Sequence, residues 1–347
     1  MKDLTEVNQM KKYKVAVLPG DGIGPEVVDA AVKVLKRVEK KSDSFELELL
    51  FGKGGDSAVK EFGTNVPQET IDLLKETDVC LKGPMTTLHD KNAPVSASLT
   101  IRRLFDLYAN IRPFHTLPNV PSLKPDIDFI IVRENLEGLY SSNEFMIGED
   151  SAISLKVVTR RESERVARAA FGLAEKRKKH LTYVNKANIL RLSDGLFNES
   201  VIKVSKDFPQ VKVDEYHVDD MSAQLIKNPE KFDVIVTTNL YGDILSDESA
   251  QLVGGLGVVA GENRGDHYAM FEAVHGTAPK YKGQNKVNPM AMIFAGTMLL
   301  DYLGEENAAA SAREAVYQVL KEKRVLTYDL GGDAGTSEVA EEISKKI

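Results

Sequence analysis

Three groups of residues in this 347-residue chain have types and spacings that could do chemistry. The first is acidic. Asp243 and Asp247 follow the apolar run Val234 to Thr237, within Asn239-Leu240-Tyr241-Gly242-Asp243-Ile244-Leu245-Ser246-Asp247. Four residues apart, they share one face of a helix. Two carboxylates on one face repel unless a cation sits between them, and a hard divalent ion such as Mg²⁺ or Mn²⁺ prefers oxygen ligands. The same spacing also suits a helix-terminal Asp beside a solvated one. The second group is basic. Arg102, Arg103 and Arg112 lie within Ser96 to Pro113, and Arg133 ends the apolar run Phe129 to Val132. Arginine stays charged and grips a carboxylate through two parallel hydrogen bonds, so several converging on a loop rim would make a polycarboxylate site. Taken singly, each serves equally as a surface ion pair. The third group is the loop Gly20-Asp21-Gly22-Ile23-Gly24-Pro25. It departs from the dinucleotide fingerprint G-x-G-x-x-G, because its third glycine comes one residue early and no acidic residue is well placed at a following strand end. Glycines that only permit a tight strand-to-helix turn account for it as well, and a Rossmann fold is not expected.

The elements that must position these groups alternate. Lys14 to Leu18, Glu46 to Phe51, Val79 to Leu81, Phe129 to Val132, Leu181 to Val184 and Val234 to Thr237 read as strands. Glu26 to Leu35, Gln68 to Glu76, Ser163 to Lys178 and Ser222 to Lys227 read as helices, with Pro25 suited to a first helical turn. Pro289 to Leu303 is a long apolar helix, for the core or a subunit contact. The pattern is α/β. The length suits about two domains, but no linker or repeat marks a boundary.

The bulk composition narrows the partners. The formal net charge is −7, which argues against a nucleic-acid partner and means that any anion site must place its cations locally. A single cysteine, Cys80, excludes an internal disulfide and reads as a buried thiol in a reducing compartment. Met1 to Lys12 is polar, and nowhere is there an apolar run of ~18 residues. The expectation is a cytoplasmic protein with a short frayed leader and no membrane contact.

Longer strings carry a resemblance. Leu18 to Glu26, Arg102 with Leu107 to Pro113, Arg133-Glu134-Asn135 with Tyr140, Asn185 to Asn188, Asn239 to Asp247, and His275-Gly276-Thr277-Ala278-Pro279 occur in order along the chain. Together they resemble the isocitrate and 3-isopropylmalate dehydrogenase family, and most closely its NADP-linked isocitrate members. The resemblance implies a two-domain α/β fold that is not a Rossmann fold. Its large domain, residues 1–107 and 254–347, would come from both chain ends and hold the cofactor adenosine. Its small domain, residues 108–253, would carry substrate, metal and dimer contacts. It further implies a homodimer with shared active sites.

By the same resemblance, Arg102, Arg112 and Arg133 match substrate-carboxylate arginines. Asp243 and Asp247 match metal ligands of one subunit, and Asp219 a ligand from the partner. Lys186, also from the partner, matches the residue that helps deprotonate the 2-hydroxyl, and Tyr140 the acid that protonates C3 after CO₂ leaves. Thr86, Thr87, Glu272, His275, Gly276, Thr277, Ala278, Lys280, Tyr281, Asn288 and Tyr328 match cofactor contacts. Ser96 matches the isocitrate enzymes, where it hydrogen-bonds a third carboxylate, and Ser98 stands where they usually have Asn. The 3-isopropylmalate enzymes place apolar residues here, and a polar pair welcomes a branched alkyl group poorly. Lys280-Tyr281 and Tyr328 match NADP-linked members, whereas NAD-linked ones carry Asp and usually Ile after the His-Gly-Thr-Ala-Pro string. Gly332 replaces an Arg of the NADP enzymes, so NADP is expected with a modest margin over NAD. The implied reaction is the tricarboxylic acid cycle step, oxidative decarboxylation of isocitrate to 2-oxoglutarate. Alternatives are homoisocitrate, tartrate or 3-isopropylmalate as substrate, since one methylene is worth only ~1–3 kcal/mol in a pocket. A non-catalytic regulatory subunit would lack a metal Asp, the Lys or the Tyr, and all are present.

Overall fold

The computed structural model of the chain describes residues 10–87 and 95–347. Strand β1 (Lys11–Leu18) has parallel neighbours on both sides and is buried on both faces from Val15 onward, because Val15 and Val17 cluster with Val27, Val28 and Ala31, and Ala16 and Leu18 cluster with Leu74 and Ile101. It begins three residues before the apolar run does. The leader expected before it lies, over residues 1–9, outside the described residues. Helix α1 (Gly24–Ser42) has Pro25 in its first turn and buries the stripe Val27, Val28, Ala31, Val34, Leu35 and Val38. Next come β2 (Phe45–Phe51), α2 (Asp56–Phe62), α3 (Gln68–Lys75), β3 (Val79–Lys82) and α4 (Ala97–Leu104). Cys80 is buried in β3, and burial pushes its thiol pKa up, so it is inert as expected.

The middle of the chain forms β4 (Ala109–His115), β5 (Asp128–Glu134) and an exposed hairpin of β6 (Glu144–Ile147) and β7 (Ser151–Ser154). Then follow α5 (Arg160–Glu175), β8 (His180–Asn185), α6 (Ser193–Ser205), β9 (Lys212–His217) and α7 (Val218–Lys227). Strand β10 (Val234–Thr237) leads into α8 (Asn239–Leu252). Helix α5 starts three residues earlier than the apolar spacing suggested, because the Thr159 hydroxyl caps it by accepting the Glu162 N–H at 3.2 Å. The last third contributes β11 (Ala260–Arg264), β12 (Ala269–Ala273), α9 (Met290–Tyr302), α10 (Glu306–Glu322) and α11 (Thr336–Lys346). Helix α9 is apolar nearly all round because it is core, packed on α1, α10 and β12. No helix among the described residues is long and apolar enough to cross a membrane.

Ten strands make one mixed sheet in the order β2-β1-β3-β12-β11-β4-β5-β10-β8-β9. Strands from the two chain ends fill one half and strands from the middle fill the other. The halves join where β11 runs antiparallel to β4, with Asn263 opposite Asn110.

The glycine loop after β1 is a clasp. The Asp21 N–H donates to Pro84 O (2.8 Å) and the Ile23 N–H to Thr277 O (3.0 Å). The Asp21 carboxylate accepts N–H bonds from Asp56, Ser57 and Thr86, at 2.9, 3.0 and 2.9 Å. The loop thus ties together the Thr86 and Thr277 segments, and those N–H groups are already committed. Gly22 has φ +59°, and a Cβ there would lie 2.0 Å from Thr277 O. Gly22→Ala is expected to lower the unfolding free energy by ~2 kcal/mol or more in urea titrations. An unchanged midpoint would show that the loop is not held this way.

Candidate active site

Each arginine of the basic group is placed by a different element. Arg102 sits in the last turn of α4, Arg112 in β4 and Arg133 in β5. Antiparallel pairing sets Asn110 opposite Arg133, so Asn110, Arg112 and Arg133 share one face of the sheet. Helix α8 crosses this face closely because of Gly242, where a Cβ would meet Arg133 Cβ at 2.6 Å. That approach lets Asp243 pair with Arg133, while Asn239 Oδ1 accepts from Arg133 Nε and Nη2 at 3.1 and 2.7 Å. Tyr140 lies in a single 3₁₀ turn, donates its hydroxyl to Asp243 and has the Arg133 guanidinium 4.9 Å from its ring centre. Ser96, Ser98, Arg102, Arg112, Arg133, Tyr140 and Asp243 together line a cavity of about 480 Å³, with Thr87, Val95, Leu99 and Ser142.

The arginines are buried, contrary to the surface-pair reading. Arg102, Arg112 and Arg133 are 8%, 6% and 1% exposed. Lys82 and Arg102 pair with Glu272 at 2.7 and 3.1 Å, and Arg133 pairs with Asp243, with Arg112 Nη1 3.7 Å from the same carboxylate. Four cations therefore face two carboxylates. Arg102 Nε and Arg112 Nη1 are buried without a hydrogen-bond partner among the described residues. A buried unpartnered donor is costly, so this cavity is built for an anion. Burial, and then Arg133 beside it, lowers the Arg112 pKa to about 10, with Asp243 opposing. Burial pushes the Asp243 and Glu272 carboxyls up, but the neighbouring cations outweigh it and hold both below the usual carboxylate range.

Asp243 and Asp247 lie one turn apart on α8, as the spacing required. Burial pushes the Asp247 carboxyl up, against Arg112 and with Asp243. Two hard carboxylates one turn apart, Asp243 on the cavity and Asp247 beside it, have the chemistry to share a divalent ion. Among the described residues, no three His, Cys, Asp or Glu side chains group into a metal site. Asp219, on α7, instead pairs with Lys186. Lys186 follows β8, and its N–H is held at 2.7 Å by buried Asp194. Neither Lys186 nor Asp219 lines the cavity.

The residues matched to the cofactor fall into three situations. Thr86 Oγ1 donates to Thr277 Oγ1 at 3.3 Å, beside Gly276, Ala278 and His275, whose Nε2 is buried without a partner among the described residues. Lys280, Tyr281 and Tyr328 gather at the surface. The two rings are 5.9 Å apart, and Lys280 Nζ is 4.7 Å from the Tyr281 ring centre. Lys286 Nζ joins them, 4.8 Å from the Tyr328 ring centre. Lys286 belongs to the segment Gly283 to Pro289, which also resembles the NADP-linked members, but that resemblance gave it no contact of its own. An aromatic and cationic patch of this kind suits a nucleotide phosphate. Glu272 and Asn288 are already engaged. Glu272 is committed to Lys82 and Arg102, and Asn288 bonds Asp329 and the Met290 N–H.

Comparison with known proteins agrees from end to end. Residues 14–343 match the family model described as isocitrate/isopropylmalate dehydrogenase. The chain is 42% identical to the 3-isopropylmalate dehydrogenase of Methanothermobacter thermautotrophicus, covering 97% of this chain and 99% of that one. It is 44% identical to the isocitrate/homoisocitrate dehydrogenase of Thermus thermophilus, over 96% and 98% of the two chains. The crystal structure of isocitrate dehydrogenase from Methylococcus capsulatus is similar with a TM-score of 0.91 at 42% identity, over 96% of this chain and 99% of that one. Matched over nearly its whole length in sequence and in fold, this chain belongs to the isocitrate/isopropylmalate dehydrogenase family of decarboxylating dehydrogenases.

Proposed function

We propose that the chain oxidises and decarboxylates isocitrate to 2-oxoglutarate with reduction of NADP⁺. One observation carries the substrate reading. Near Arg102 the hydroxyl-bearing Ser96 and Ser98 line the cavity, interleaved with Val95 and Leu99, and Arg102 Nε and Arg112 Nη1 have no acceptor among the described residues. A third carboxylate finds donors there, whereas an isopropyl group would leave them unpaired. Relatives named for both substrates are about equally similar, so the reading is supported by the site chemistry alone. For the cofactor, Lys280 and Lys286, beside the Tyr281 and Tyr328 rings, supply two cations to a 2′-phosphate. Asp243 and Asp247 would hold the metal, completed by Asp219 of a second copy in a homodimer, and residues 108–253 would form the small domain.

In this reading Arg102, Arg112 and Arg133 bind and orient the carboxylates. The divalent ion that Asp243 and Asp247 would hold would supply acidification of the C2 hydroxyl, and the nicotinamide would serve as the two-electron acceptor for the C2 hydride. Lys186 of a second copy accepts the hydroxyl proton. The resulting 2-oxo group is β to the C3 carboxylate, which leaves as CO₂. Tyr140, held by Asp243, then returns a proton to C3.

Two outcomes test this. With Mn²⁺ present, kcat/KM for isocitrate is expected to exceed that for 3-isopropylmalate by about two orders of magnitude, and to be several-fold higher with NADP⁺ than with NAD⁺. The reverse order for either pair overturns that half of the proposal. Chelation with EDTA is expected to abolish turnover, and Asp243→Asn to lower kcat by at least ~10². Full activity in metal-free buffer would be incompatible with it.

A further inference from the structure

Behind the two arginines with free donors runs a chain of buried amides that touches no cavity. Asn110, Asn263 and Asn135 are all fully buried. Arg112 Nε donates to Asn110 Oδ1 at 2.6 Å. Asn110 Nδ2 donates to Asn263 Oδ1 at 2.8 Å, and Asn263 Nδ2 donates to Glu272 Oε1 at 2.8 Å. That same Glu272 oxygen accepts from Arg102 at 3.1 Å. The polarity of the chain has a single solution. A guanidinium only donates and a carboxylate only accepts, so Asn110 must offer oxygen to Arg112 and Asn263 must offer nitrogen to Glu272. Turning over either amide would face donor to donor or oxygen to oxygen in a buried place. Asn263 is saturated, since its oxygen accepts a second bond from Asn135 at 3.0 Å and its nitrogen also reaches Met270 O at 3.3 Å.

We infer that Asn263 is a positioning residue that sets Arg102 and Arg112 together, so that both present their free donors to the substrate before it binds. It contacts neither arginine and stands at the join of the two halves of the sheet, opposite Asn110. Asn135 is the internal control. It bonds the same Asn263 oxygen but leads to the Leu107 carbonyl rather than to an arginine. The inference rests on the reading that these arginines hold substrate carboxylates.

The test compares Asn263→Leu, which removes the bonds to Asn110, Asn135, Glu272 and Met270 O, with Asn135→Leu, which removes those to Asn263 and Leu107 O and leaves the links toward both arginines in place. Asn263→Leu is expected to raise KM for isocitrate about tenfold or more, with kcat changed by less than about threefold and KM for NADP⁺ unchanged. Calorimetric affinity for isocitrate with Mg²⁺ should fall by the same factor. Asn135→Leu should lower the unfolding temperature while leaving KM for isocitrate within about twofold. If Asn263→Leu does not fold, Asn263→Ser carries the same expectation. An unchanged KM in the folded Asn263 variant overturns the inference, as does an equal rise in both variants or an equal rise for cofactor and substrate. A native chain inactive on isocitrate but active on 3-isopropylmalate or homoisocitrate would overturn the functional reading alone, and the comparison would then be made with that substrate.

Discussion

The site depends on one buried carboxylate. Glu272 on β12 lies between Lys82 on β3 and Arg102 on α4, all three almost wholly out of water. Moving such charges out of water costs several kcal/mol each, and only close pairing with further hydrogen bonds offsets it. Glu272 meets that condition with Lys82, Arg102 and Asn263, and the two cations hold its carboxyl below its usual range after burial has pushed it up. Without this anion, Lys82 and Arg102 would face each other uncompensated, and removing one partner of such a pair typically costs ~3–5 kcal/mol.

The compensation is deliberately incomplete. Glu272 and Asp243 leave the four cations with an excess of positive charge, concentrated where Arg102 and Arg112 have unpartnered N–H groups. A chain with a net charge of −7 thereby gathers four cations locally, the condition that any anion site in it would have to meet. In the proposed reading, stability lost to this excess would be regained when a polycarboxylate enters, as a preorganised site converts uncompensated charge into selective binding. The fold makes this affordable by building the site across the join of β11 and β4. There, a strand from the last third of the chain lies beside one from its middle, and the sheet holds Lys82, Arg112, Arg133 and Glu272 while α4, α8 and the Tyr140 turn hold Arg102, Asp243 and Tyr140.

Much of this was legible in the sequence. The α/β alternation followed from short apolar runs such as Val234 to Thr237, which the strand β10 matches residue for residue. The helical spacing of Asp243 and Asp247 was correct, and the glycine loop was rightly read as a turn. Local signals were also overlooked. Thr159 and Glu162 form a cap that moves the start of α5, and apolar spacing alone does not show it. What could not be read were partners far apart in sequence. Asn110 and Asn263 are separated by 153 positions, and Arg102 and Glu272 by 170. Nothing local marks an asparagine inside a strand as one step of a hydrogen-bond chain. Likewise Lys82 ends an apolar strand and gives no sign that it will be 2% exposed beside a carboxylate.

The central claim is that the buried arginines are held open for a polycarboxylate. It is tested most directly by thermal unfolding with and without isocitrate and Mg²⁺, on the native chain and on Arg112→Met. A ligand that binds only the folded state raises its stability in proportion to the logarithm of concentration over Kd. The account predicts a clear rise in Tm for the native chain and none for Arg112→Met at the same concentrations. An equal rise in both would contradict it.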